Sequence, residues 1–248
     1  MRELHHSRIF KYGIILRLIL IFFCYPIVQK IWFLDFMLNS LQNIPFNPWF
    51  NHIASNGESV AFPYGYVMYL AYLPLTLSGS IIDNFFDISY FSKLGFGFTS
   101  LIYDYLICIG IALLAKRYSP RFLLITYWLS PLVLYVFYWH GQLEALPICL
   151  LIWGILQLQK GRPWISGILL GMALSAKLSM LAAIPFILIY LLRNKRIREQ
   201  LKPTLVSLIS TKIAFLIPFI GSESFIEMVL QTRETDRLFS VFLSYGSN

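Results

Sequence analysis

The sequence predicts an all-α fold, a polytopic membrane helix bundle, and three observations carry that expectation. Of its 248 residues, 58% are hydrophobic and only 13% are charged, against about 25% charged in a soluble domain. Apolar runs recur at the length a helix needs to cross ~30 Å of hydrocarbon. Lys and Arg cluster in the short segments between those runs, the pattern that sets orientation in a membrane. The formal charge of +8 therefore reads as a topology signal and not as a nucleic-acid footprint.

Taken in order, Arg2, Arg8 and Lys11 precede the first apolar run. No small-residue cleavage motif follows Cys24-Tyr25-Pro26, so this helix is retained. It spans about residues 13 to 31, with Arg17 placed to snorkel back to the inner surface. Residues 35–94 form a long first extracytoplasmic loop, rich in turn formers such as Asn47-Pro48 and Asn56-Gly57. Within it, 63–82 is apolar enough to cross. If it did, the basic turns at Lys116, Lys160 and Arg193 would all face outward. Pro63, Pro74 and Ser78-Gly79-Ser80 also weaken it as a straight span, so it is expected to be an interfacial or re-entrant helix, followed by the acidic turn Asp83 to Asp87.

The next span, about 95–115, carries Asp104 near mid-depth. Residues 122–139 rise to the polar turn His140-Gly141-Gln142-Leu143-Glu144, and 145–157 descend. The run that follows Arg162 is about 30 residues long with basic residues at both ends, too long for one span and oriented with both ends inside. It is expected to be a hairpin of helices 163–176 and 179–192 that turns at Lys177. Residues 203–220 then rise with Lys212 near the centre, and 221–248 form an outer tail. The expectation is seven crossings in a single transmembrane domain over 1–248. On that topology the inner segments hold thirteen basic and two acidic residues, and the outer segments three basic and nine acidic. Asp104 is expected to pair with Lys212 inside the bundle, or alternatively with Lys177. Cys24, Cys108 and Cys149 lie in apolar runs without metal spacing and read as packed thiols.

This topology gathers Asp35, Glu58, His140, Gln142, Glu144, Lys177, Arg233 and Arg237 at the outer surface. A carboxylate there can deprotonate an attacking hydroxyl, while cations hold a phosphate leaving group. Lysine at membrane depth costs about 2.5 to 3.5 kcal/mol, so Lys177 is expected to face protein, water or an anion, which a lipid-linked substrate would supply. His140 and Glu144, four apart, are expected on one helical face as a hydrogen-bonded pair or two ligands of a divalent cation, which would need a third.

Along these residues the chain resembles the integral-membrane C-type glycosyltransferases, which take sugars from polyprenyl-phosphate carriers. The resemblance rests on FLDFMLNSLQNIPFNPW, AFPYGYVMYLAYLP, SLIYDYLI, WHGQLEAL, GILLGMALSAKLSMLAAIPF and TDRLF, which follow one another in the family's order from about residue 13 to 243. It implies inverting transfer of a hexose, such as mannose, to a hydroxyl of a glycan or lipid-linked acceptor, outside a cell inner membrane. It also implies Asp35 as general base, Lys177 and Arg237 on the donor phosphate, and Gln142 and Glu144 in the sugar or acceptor pocket. Some relatives place an acid directly before the aromatic-proline motif, where this chain has Ala61-Phe62, so Glu58 competes with Asp35 for the base role. Relatives are commonly longer, which leaves an inactive N-terminal fragment as one alternative. A non-catalytic polyprenyl-lipid transporter or flippase is the other, since it needs the cations but no base.

Overall fold

The computed structural model describes residues 2–42, 47–194 and 197–231, and every described regular element is helical. After a short helix, Arg2–His6, the first long helix, α1 (Arg8–Phe23), stops short of the expected span because the chain breaks at Cys24-Tyr25-Pro26, where proline removes a backbone donor. A π-helical turn at Gln29–Phe33 then runs directly into α2 (Leu34–Gln42). The segment expected as the outer loop is thus more helical than its turn formers suggest. Asn47-Pro48 is a helix start, with the Asn47 side chain accepting from the Phe50 amide at 3.2 Å to open α3 (Pro48–Ala54).

The segment expected as an interfacial or re-entrant helix forms α4 (Tyr66–Phe86), continuous through Pro74. It runs antiparallel to α5 (Phe91–Leu114). Asp83 accepts from the amides of Tyr90, Phe91 and Ser92 at 2.7–2.9 Å and from the Ser92 hydroxyl at 2.6 Å, so the acidic turn is the cap that opens α5. A Cβ on Gly79 would meet the Phe91 carbonyl, and one on Gly95 would meet that of Leu75. This register sets Tyr66, the first residue of α4, about level with Asp104, so α4 overlaps only the N-terminal half of α5.

Two short helices follow, α6 (Pro120–Trp128) and α7 (Pro131–His140), bent by 43° at the break before Pro131. Then come α8 (Ala145–Gln159), α9 (Pro163–Ala176), α10 (Leu178–Arg193), α11 (Arg198–Phe219) and a last helical stretch, 223–230. Leu170 and Leu174 of α9 lie in one buried cluster with Ile187 and Leu191 of α10, and the chain breaks between the two helices at Lys177. Gly167 and Gly171 let α9 approach the α11 backbone at Thr204 and Leu208, the small-residue packing usual between membrane helices. By length and composition α5 and α11 can each cross a membrane, as can the bent pair α6–α7 if it forms one span. The chain is therefore an all-helical bundle with two or three clearly apolar spans.

Arg17 does not snorkel, and Asp104 pairs with neither lysine. The two form a fully buried ion pair, Nε to Oδ2 at 2.7 Å. Tyr127 and Tyr138 donate to the same carboxylate at 2.7 and 2.8 Å. The guanidinium lies 3.5 Å from the centroid of the Trp128 ring and donates to the Trp128 carbonyl at 2.6 Å, an acceptor freed by the bend before Pro131. One site thereby fixes α1, α5 and the α6–α7 bend. Removing one partner of a buried pair strands the other charge, so Arg17→Met should destabilise the protein by about 3–5 kcal/mol. The double variant Arg17→Met with Asp104→Leu should regain most of that loss, read as melting temperatures in detergent.

Candidate functional site

Helix α9 ends after Ala176 because Lys177 is extended, at φ −147° and ψ 127°. The last carbonyls of a helix need donors, and here three come from different segments. The Lys177 amide bonds the Ala173 carbonyl, the Lys212 ammonium bonds Leu174 at 3.1 Å, and the Gly65 amide bonds Ala176 at 3.0 Å. Residue 65 is glycine for a steric reason: a Cβ there would lie 1.9 Å from the Ser175 carbonyl oxygen. This close approach brings Tyr64 to Lys177.

Around Lys177 four of the expected site residues assemble. Its ammonium forms an ion pair with Glu144 and lies 5.3 Å from the centre of the Tyr64 ring. The Tyr64 hydroxyl donates to the Gln142 side-chain oxygen at 3.1 Å, and the Gln142 amide is 3.3 Å from His140 Nδ1. Lys177 and Glu144 are each about a quarter exposed, at 26% and 21%, so the pair borders open space. His140 and Glu144 do not share a helical face. Gly141, at φ 85°, ends α7 in the left-handed conformation that glycine adopts without strain, and the turn delivers the two residues separately.

Asp35 and Glu58 form a second cluster, joined by two residues that the sequence did not single out. The Asn39 amide donates to Asp35 Oδ2 at 3.1 Å and lies 3.4 Å from His52 Nδ1, while His52 Nε2 is 3.2 Å from the Glu58 carbonyl. An amide donor at Nδ1 and a carbonyl at Nε2 place the imidazole proton on Nε2. His52 is fully buried, and burial holds its pKa below the ordinary value despite the Glu58 carbonyl and the nearby carboxylates of Asp35 and Glu58. Both carboxylates themselves are exposed. The spacing of Asp35 and Asn39 suggests a helical pair, but His52 joins them only through the α2–α3 packing. The clusters border one aromatic core, in which Phe33, Phe36, Phe62, Tyr64, Leu143 and Ala176 pack together and Phe36 stacks on Phe62 at 4.3 Å.

Arg233 and Arg237 lie outside the described residues. Among the described residues no three His, Cys, Asp or Glu side chains converge as a metal ligand set. Because folding lowers the His52 pKa, the unfolded chain takes up a proton on this residue first as pH falls. Its contribution to stability is complete above the ordinary histidine range and is lost as pH drops through it. The melting temperature should therefore fall from roughly pH 7 to pH 5, and His52→Gln should flatten the part of that slope due to this residue.

The model of Glycosyltransferase family 87 matches residues 62–242. That region includes Tyr64, His140, Gln142, Glu144 and Lys177, while the Asp35–Glu58 cluster precedes it. No curated protein and no solved structure matches the chain. With the family's pattern running through most of a sequence that folds as a bundle of apolar helices, the chain belongs to glycosyltransferase family 87.

Proposed function

We propose that this membrane glycosyltransferase moves a hexose, with mannose the first candidate, from a polyprenyl-phosphate carrier to a hydroxyl of a glycan or lipid-linked acceptor. The reaction takes place on the outer side of a cell inner membrane that the chain crosses seven times. The charge asymmetry of the loops supports this orientation, and the half-length overlap of α4 with α5 supports a helix that enters from the outer side without crossing.

The observation that carries the catalytic part is the setting of Asp35. One of its oxygens is held by Asn39, the other takes no hydrogen bond among the described residues, and the side chain is exposed. Such a carboxylate is oriented yet free to take a proton. Asp35 accepts the proton of the acceptor hydroxyl as that oxygen attacks the anomeric carbon. The bond from that carbon to the phosphate oxygen breaks, and its electron pair leaves with polyprenyl phosphate. Lys177 has two ammonium hydrogens beyond the one engaged by Glu144 and stabilises the departing charge, with Arg237 as its partner. His140, Gln142 and Glu144 line the sugar side, and Glu58, with its backbone tied to His52, borders the base. Arg233 is assigned to substrate binding with Arg237.

Asp35→Asn keeps the contact with Asn39 but removes the base. Sugar transfer should fall by about 10²–10⁴-fold in membranes supplied with lipid-linked hexose donor, at unchanged protein level. Full activity in this variant would remove Asp35 from the mechanism. A parallel loss in Glu58→Gln, with Asp35→Asn active, would move the base role to Glu58.

A further inference from the structure

Lys212 is the half-buried cation that the proposed reaction does not use. Its ammonium donates to the Leu174 carbonyl, and no carboxylate pairs with it among the described residues. A carbonyl at a helix C-terminus presents a partial negative charge, so a full counter-charge is still missing. Beside it, the Ser175 hydroxyl is 95% buried and has no hydrogen-bond partner. Ser175 and Lys212 line one shallow, open-sided crevice, whose other walls include Leu174, Leu178, Phe215 and Leu230.

An ammonium without a carboxylate and a buried hydroxyl without a partner therefore belong to residues that line an otherwise apolar crevice on a membrane protein. An ammonium and a hydroxyl together suit an anion with several acceptor oxygens, and the aliphatic and aromatic walls suit a hydrocarbon chain. A free inorganic anion would leave those walls against water. We infer that the crevice between α9 and α11 binds the phosphate of an anionic lipid, held by Lys212 and Ser175 with its chain along Leu178, Phe215 and Leu230. Neither Lys177 nor Glu144 lines the crevice, and the inference requires only that the chain lie in a bilayer. Its lipid is either an isoprenyl phosphate carrier or a bulk anionic phospholipid.

The test is native mass spectrometry of the purified full chain in neutral detergent. It is titrated with a long-chain isoprenyl monophosphate, phosphatidylglycerol, phosphatidylcholine or inorganic phosphate. The anionic lipids should bind as one tight copy. Lys212→Met should weaken that copy about tenfold or more, Lys212→Arg should retain it, and Ser175→Ala should weaken it roughly threefold. Preference for the isoprenyl phosphate assigns the site to the carrier, and equal affinity for phosphatidylglycerol assigns it to bulk lipid. Undiminished binding in both Lys212→Met and Ser175→Ala overturns the inference, as does inorganic phosphate competing as well as the lipids. If Lys212→Met does not fold, Ser175→Ala alone decides. Asp35→Asn should bind the lipid as the unaltered chain does, so failure of the proposed base and failure of this site are separate results.

Discussion

The constraint on which the structure turns is the early end of α9. A helix of 14 residues is about 21 Å long, short of the ~30 Å hydrocarbon thickness, and its final carbonyls have no water to bond in an apolar bundle. Non-helical backbone at that depth survives only where protein or a cavity surrounds it. Here the protein supplies the surroundings: Gly65 and Lys212 bring the start of α4 and the middle of α11 to the same helix end. Lys177 then leaves the helix axis and meets Glu144. The meeting of the polar residues follows from satisfying a broken helix.

The buried pair of Arg17 and Asp104 holds the other side of the same arrangement. By taking the Trp128 carbonyl, Arg17 satisfies the bend between α6 and α7, and that bend aims α7 toward the turn at Gly141. Gln29, just beyond α1, donates to the Gly141 carbonyl at 3.2 Å and closes the loop. An interaction at one depth in the bundle thus sets where His140, Gln142 and Glu144 emerge at another. Charges buried this completely are seldom net stabilising against an apolar replacement. Their contribution here is to fix one arrangement of three helices.

How much of this was legible in the sequence depends on the kind of information each feature needs. The break at Lys177 follows from a run too long to cross once and basic at both ends, and the helix does end at Ala176. The polar turn from His140 to Glu144 was legible for the same reason, as an interruption between apolar runs. Depth along a span can be read from sequence, but the direction in which a side chain points around the bundle cannot. Asp104, Lys177 and Lys212 were therefore all visible as intramembrane charges while their partners were misassigned. Arg17 sits about two and a half turns into α1, and Asp104 across the interface decided where its long side chain turns. His52 was not singled out because its role depends on α2 packing against α3.

The relation between α4 and α9 carries the argument furthest. The Gly65 amide, at the start of α4, donates to the last carbonyl of α9, so the positive end of one helix dipole meets the negative end of another. The register against α5 puts that junction near the level of Asp104, half-way along the longest apolar helix. The two helices meet end to end there, and each satisfies a terminal backbone group of the other. This junction fits the character of α4, which at 21 residues is long enough to cross but is not among the helices apolar enough to do so. It also explains why Tyr64, Glu144 and Lys177 collect there. A junction between two part-length helices is where backbone and charged side chains can reach mid-depth with their hydrogen bonds made, and a polar substrate head group needs the same conditions.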